Sequence, residues 1–292
     1  MGFVERLAQG DILVADGATG TWLQAEGLRP GTPPELWNVE RPEAILRMHQ
    51  AYLEAGAQVI LTNTFGGSRH KLAKAGLGDR MEELVGAAVR LARQAAGGDA
   101  LVAGDIGPLG DLLAPLGKVT YEEAVAIFAE QVRVLAEGGA DLILVETMSD
   151  LQEAAAAIEG ARSATDLPIV CSMSFDTHGR TMMGVTPQQM VQRLWPMGLA
   201  AIGVNCGRSL ADNAAALRAA HTAAPEAPLW YKPNAGLPRL EGGRTVFDVG
   251  PEEFAAGVVA ALRDGARIVG GCCGTTPAHI RALVEALGRE GA

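Results

Sequence analysis

The sequence predicts one (β/α)8 barrel occupying residues 1–292, with its active site at the C-terminal face of the strands. Eight short runs rich in Val, Ile and Leu recur at even spacing, and Ala/Leu/Glu/Arg-rich segments with helical periodicity lie between them. No break in composition divides the chain. Strands that are apolar on both faces and separated by helices are parallel strands joined by crossover helices. A doubly wound eight-stranded sheet is the rival; the count and the even spacing favour the barrel.

In order, the strand runs are "DILVADG" (11–17), "AQVILTNTF" (57–65), "ALVAGDIGP" (100–108), "ADLILVETM" (140–148), "PIVCSMSF" (168–175), "LAAIGVNC" (199–206), "PLWYKPNAG" (228–236) and "ARIVGGCCG" (266–274). Helices are expected over 42–56, 121–139 and 251–266, among others. Pro42, Pro251 and Pro277 suit a first helical turn. Gly56, Gly138 and Gly265 are expected to end helices in the left-handed conformation. Two long connections, 27–43 and 236–250, follow the first and seventh strands, on the face where barrel sites are built.

Composition narrows the function classes. Acidic residues outnumber basic ones by 34 to 24 and no Lys/Arg block occurs, so a nucleic-acid surface is not expected. No apolar run is long enough to cross a bilayer, and the charged start lacks a signal-peptide core, which makes the cytoplasm the expected location. Four cysteines in a chain of 292 residues point to metal binding, catalysis or packing rather than a disulfide framework.

Polar residues collect where each run ends: Asp16, Asn63, Asp105, Glu146, Ser172, Asn205 with Cys206, Lys232 with Asn234, and Cys272 with Cys273. In a parallel barrel these positions converge on one mouth. Three thiols from strand ends six and eight match a tetrahedral Zn²⁺ site with one position open, one ion per chain. The glycine-rich turn around Cys272 and Cys273 would also suit a phosphate, but thiols add nothing to phosphate binding. Cys171 lies inside a strand and reads as packing. Asp16 and Glu146 suit an ammonium group or, separately, a helix cap or an arginine partner. The N–H groups of "GATGT" (17–21) suit a carboxylate, so the mouth reads as an amino-acid site. None of the five histidines ends a strand. Trp22, Trp37 and Trp230 are candidate walls for a donor pocket, with packing the simpler role.

The motifs "DGATGT", "TNTFGG", "GDIGPLG", "VETMSD", "GVNCG", "KPNAG" and "GGCCGTTPAHI" occur in the order seen in the zinc-dependent homocysteine S-methyltransferases, which the chain resembles from about residue 11 to 286. The resemblance implies that Cys206, Cys272 and Cys273 hold zinc. It implies that Asp16 and Glu146 take the amino group of L-homocysteine, and that the turn Ala18, Thr19 and Gly20 lies against the substrate. Asn234 would sit near the metal as an oxygen ligand when substrate is absent, and Asn205 would stand beside the first cysteine in the substrate site. The implied reaction is methyl transfer to the homocysteine thiol, giving methionine.

The donor is less determined. Thr147 stands where the animal betaine enzyme has Tyr, which argues against that pocket, while "VET" and "TNTFGG" look closer to the cobalamin-dependent methionine synthase domain. No cobalamin- or folate-binding sequence follows before "GREGA". The donor is expected to be either glycine betaine or a methyl-corrinoid carried on a separate protein, with S-methylmethionine or another sulfonium as the alternative. A Schiff-base lyase using Lys232 and a non-catalytic zinc or homocysteine sensor are the readings from other classes. A homo-oligomer is compatible with the sequence.

Overall fold

The computed structural model describes residues 1–241 and 244–290. Gly242, Gly243 and the last two residues of the expected 1–292 domain lie outside the described residues. Eight parallel strands make the barrel: β1 (Leu13–Val14), β2 (Val59–Leu61), β3 (Leu101–Ile106), β4 (Leu142–Met148), β5 (Ile169–Met173), β6 (Ala201–Cys206), β7 (Leu229–Pro233) and, after the hairpin β8 (Pro238–Glu241) and β9 (Arg244–Phe247), β10 (Ala266–Val269). The sheet order is β1-β10-β7-β6-β5-β4-β3-β2, and a parallel bridge from Ala15 to Val59 brings its two ends together. The expected (β/α)8 barrel is the observed fold.

Each strand is shorter than the run that predicts it, yet pairing continues through polar residues near the C-terminal ends, as in Asp105 with Leu144 and Asn205 with Lys232. Alternate residues of the strands point to opposite faces. Leu13, Ala15, Leu61, Ala103, Leu144, Val170, Trp230 and Ile268 fill the barrel interior, while Val14, Ile60, Val102, Val145, Cys171 and Val204 pack outward against the helices. Cys171 is thus a packing residue. Phe3, on an N-terminal helix (Phe3–Ala8) that the sequence reading did not anticipate, belongs to the interior cluster with Leu101 and Ala200 at the strand starts, so it plugs the bottom of the barrel.

The helices begin where their sequences supply caps. Thr120 and Glu123 form a reciprocal box ahead of Tyr121–Glu137, Thr186 and Gln189 do the same for Pro187–Leu194, and Asp150 accepts from Gln152 N at 2.9 Å. One expected stop moves by a residue. Gly138 is right-handed and Gly139 takes the positive φ of 97°. The two long connections are structured, the first by the short helix Trp37–Glu40 and the second by the β8–β9 hairpin. Among the described residues, no helix is long and apolar enough to cross a membrane.

Candidate active site at the barrel mouth

Inward alternation carries specific side chains to the top of the barrel. Ala103 is followed two residues on by Asp105, Leu144 by Glu146, and Trp230 by Lys232; all three polar residues are buried and line one cavity of about 480 Å³. The turn Gly17–Gly20 forms one wall, and Cys206, Cys272 and Cys273 another. The outer wall comes from the segments that follow β1 and β2, with Pro33, Glu35, Phe65 and Lys71.

Backbone geometry aims the thiols. Cys206 ends β6 with φ 62°, a left-handed conformation that a non-glycine residue adopts only under constraint. Asn213 Nδ2 supplies that constraint by donating to the Cys206 carbonyl at 2.7 Å. The paired cysteines follow β10 in a turn tied to β7: Cys272 N donates to Pro233 O at 2.9 Å, and Ala235 N to Cys273 O at 3.0 Å. Gly274 has φ 81°, and a Cβ there would strike the Phe247 ring of the hairpin, so only glycine lets the turn close. The three Sγ atoms lie within 4.8 Å of one another, and all are free thiols. Hydrogen bonds from Cys272 and Cys273 pull Cys206 down to about 3, while the bond to Cys206 pushes Cys273 up to about 12. These bonds favour the thiolate form of Cys206 and the thiol form of its two neighbours.

Asn234 adds a further acceptor. Its Nδ2 donates to Gly207 O at 2.7 Å and approaches Cys206 Sγ at 3.5 Å, leaving Oδ1 buried without a partner. A buried orphan acceptor is costly unless a cation or donor meets it. The three convergent sulfurs by themselves fit a soft, thiolate-preferring metal ion.

The carboxylates divide in an unexpected way. Asp16 is buried beneath the cavity wall; its Oδ1 accepts from Lys232 Nζ and its Oδ2 from Leu61 N, each at 2.8 Å. Burial works against the charged form of Lys232, but Asp16 and Glu146 outweigh it and hold the ammonium above its ordinary range. Asp16, expected to take the substrate ammonium, is thus paired with a lysine of its own chain. Glu146 does line the cavity, and burial raises its carboxyl to about 7.

Asn205 is fully buried and is not part of the cavity wall. Its Oδ1 accepts from Thr147 N (2.9 Å) and Ser172 Oγ (2.8 Å), while Nδ2 donates to Thr147 Oγ1 (2.6 Å) and reaches Glu146 Oε2 at 3.5 Å. Thr147 is held at φ 60° by this clamp, so Asn205 sets the position of Glu146 from behind. Ala18, Thr19 and Gly20 lie on the wall as expected. Ala18 N is already bonded to Thr275 Oγ1 at 3.1 Å, whereas Thr19 and Gly20 begin a helix whose first N–H groups have no intrahelical acceptor.

None of the three candidate tryptophans lines the cavity. Trp230 fills the barrel interior, Trp22 packs on Tyr52 at 6.0 Å, and Trp37 lies under Arg41 at 4.2 Å. Glu35, Phe65 and Lys71 were not singled out from the sequence, since nothing in a loop's composition says which of its residues fold inward. Asp105 carried a visible signal, its place at a strand end.

A barrel with a three-thiol cluster and buried carboxylates at its catalytic face defines an enzyme that acts on a small molecule at a site able to hold a metal ion. A family model described as homocysteine S-methyltransferase matches residues 13–287, and the chain belongs to that family of methyltransferases. Methionine synthase of Mycobacterium tuberculosis (strain ATCC 25618 / H37Rv) is 34% identical over 296 residues, covering 94% of this chain and 24% of that protein. That of Mycobacterium leprae (strain TN) is 34% identical over 308 residues, covering 98% and 25%. The chain thus spans about a quarter of the length of these curated relatives. The homocysteine methyltransferase MmuM from Escherichia coli, metallated form, superposes with TM-score 0.79 at 30% identity over 96% of this chain and 97% of that one. The carboxyl transferase domain of Rhizobium etli pyruvate carboxylase, at 15% identity and TM-score 0.52, shares the fold alone.

Proposed function

We propose that this chain transfers a methyl group to the thiol of L-homocysteine, giving methionine, with one Zn²⁺ held by Cys206, Cys272 and Cys273. The convergence of three sulfurs at the wall of a buried cavity carries the reading, supported by family membership. Zinc bound there would supply Lewis acidity that lowers the pKa of the substrate thiol, which is otherwise about 8.5 and mostly protonated at neutral pH.

The protein's own groups do the rest. Glu146 offers a carboxylate to the substrate ammonium, and Asn205 fixes its rotamer. The Thr19 and Gly20 N–H groups offer donors to the substrate carboxylate. Asn234 turns its amide Nδ2 toward Cys206 Sγ at 3.5 Å. Burial of the cavity floor by Asp16 and Lys232 keeps bulk water from beneath the reacting sulfur.

The donor reading rests on the surface around the mouth. Phe65, Leu112, Leu116, Met182, Leu237 and Leu240 are exposed on loops that follow β2, β3, β5 and β7. An apolar rim of this kind favours a methyl group delivered on a protein-borne corrinoid. A second reading, a small cationic donor such as glycine betaine or a sulfonium, is favoured by Glu35, Asp105 and Glu146 outnumbering the unpaired Lys71 along the cavity. Methionine formation by zinc-loaded protein from L-homocysteine, with methylcobalamin, glycine betaine or S-methylmethionine as sole donor, tests both. Turnover with methylcobalamin alone supports the first reading, turnover with either onium alone supports the second, and no turnover with any donor counts against methyl transfer.

A further inference from the structure

Two turns at the mouth are stitched together by side chains that do not themselves line the cavity, Tyr52 and Thr275. The turn after β1 carries Thr19 and Gly20, and the turn after β10 carries Cys272 and Cys273. Their backbones meet directly, since Gly271 N donates to Asp16 O at 3.0 Å. Thr275 spans them a second time: its Oγ1 accepts from Ala18 N at 3.1 Å and donates to the Cys272 carbonyl at 2.7 Å. Tyr52, on the helix Pro42–Glu54, places its hydroxyl 2.9 Å from Ala18 O and 3.2 Å from Thr275 O. One proton is therefore shared between two carbonyls, one on each turn.

Both side chains are buried, so water does not compete for these bonds. Leaving a buried donor or acceptor unpaired costs more than the bond itself contributes, so the two turns do not shift independently. Gly17 reflects the same closeness, because a Cβ there would strike both the Tyr52 ring and Thr275 Oγ1. Two hydrogen bonds through one hydroxyl thus lead from Cys272 to Ala18, the residue that opens the helix Thr19–Ala25.

We propose that Tyr52 and Thr275 are positioning residues that couple the thiol cluster to the turn receiving the carboxylate of the substrate. Metal held by the cysteines then strengthens binding of the amino-acid end of the substrate without touching it. The assignment rests on the reading of the cysteines as the zinc site and of the Thr19 and Gly20 N–H groups as the carboxylate site. An ion on the three sulfurs fixes the backbone at Cys272, and Thr275 and Tyr52 pass that constraint to Ala18. The coupling is reciprocal: the amino acid raises zinc affinity by the factor by which zinc raises amino-acid affinity.

L-Norvaline isolates the effect, because it carries a methyl group where homocysteine has its thiol and does not ligate zinc. Zinc-free and zinc-loaded protein, both kept reduced, are titrated with it calorimetrically. The loaded wild type binds about 5- to 150-fold more tightly than the zinc-free protein, the usual span of coupling between two sites. Tyr52→Phe, which keeps the buried ring and removes only the hydroxyl, brings that ratio close to one, as does Thr275→Val; Thr275→Ser retains it. Chelator competition shows the reciprocal gain in zinc affinity under saturating norvaline in the wild type and not in Tyr52→Phe. In turnover Tyr52→Phe raises KM for homocysteine and leaves kcat near the wild-type value. A purely structural role would lower the unfolding midpoint and leave the norvaline ratio untouched. A ratio of one in the wild type, or a ratio unchanged by both Tyr52→Phe and Thr275→Val, overturns the coupling while leaving the proposed function intact. Binding of homocysteine without any binding of norvaline overturns it equally, since the amino-acid end then has no affinity to modulate. A loaded wild type that binds neither amino acid overturns the proposed function as well.

Discussion

Lys232 Nζ donates to Asp16 Oδ1 at 2.8 Å in the centre of the barrel, joining β7 to the end of β1 through two side chains almost wholly removed from solvent. Such a pair is expensive to bury and more expensive to break, because removing one partner strands the other. Lys232→Met therefore lowers the unfolding free energy by about 3–5 kcal/mol, as does Asp16→Asn to a lesser extent, since the amide still accepts from Leu61 N. The double variant is less destabilised than the sum of the two. Denaturant unfolding of the four proteins measures this; additive losses would mean that the two residues are not energetically coupled.

Serine in place of Cys206, Cys272 or Cys273 removes a soft ligand from a three-sulfur set. Each variant loses bound zinc and methionine formation together, whereas Cys171→Ser, buried in the outer core, loses stability and keeps its metal. Elemental analysis alongside turnover checks this. Normal zinc content and activity in any of the three cluster variants would exclude the thiol cluster as the metal centre.

Asn205→Ala removes the clamp on Thr147 and leaves Ser172 Oγ without its acceptor, at a cost of about 1–3 kcal/mol. Because the same amide faces Glu146, KM for homocysteine rises while zinc content stays at one per chain. A change in kcat alone would place Asn205 in a different role.

His49 sits in the helix Pro42–Glu54, fully buried, with neither ring nitrogen hydrogen-bonded, and burial takes its pKa down from 6.5 to about 4. Its folded-state pKa is depressed, so the unfolded chain binds the proton first as pH falls. The stability present at neutral pH is therefore lost between about pH 6.5 and 4, by about 3 kcal/mol. Asp105 and Glu146 are shifted upward and act in the opposite sense, so the prediction concerns the difference between wild type and His49→Leu. On acidification across this window the wild type loses stability relative to His49→Leu by that amount; a pH-independent difference would refute it.

The barrel was legible because its signals are local. Alternation of Val, Ile and Leu, spacing of the helices and the abrupt polarity at each strand end are properties of short segments, and each segment reports its own state. The three thiols were legible for the same reason: Cys206, Cys272 and Cys273 all fall at strand ends, and parallel strands bring such ends together whatever lies between them. Gly138 against Gly139 shows the limit, since either glycine satisfies a helix stop and only the geometry of the turn chooses.

What the sequence determined by itself was therefore the set of residues at the mouth; what only the tertiary structure decided was their pairing. Asp16, Asp105 and Glu146 are equivalent by position, each a carboxylate closing an apolar run. Lys232, more than 200 residues away in sequence, lies beside one of them, and that contact removes Asp16 from the cavity while leaving Asp105 bare. Likewise Asn205, adjacent to a thiol in sequence, turns inward to Thr147 and Ser172 rather than to the substrate space. Pair energies depend on distances between atoms from different strands, and local sequence patterns do not encode those distances.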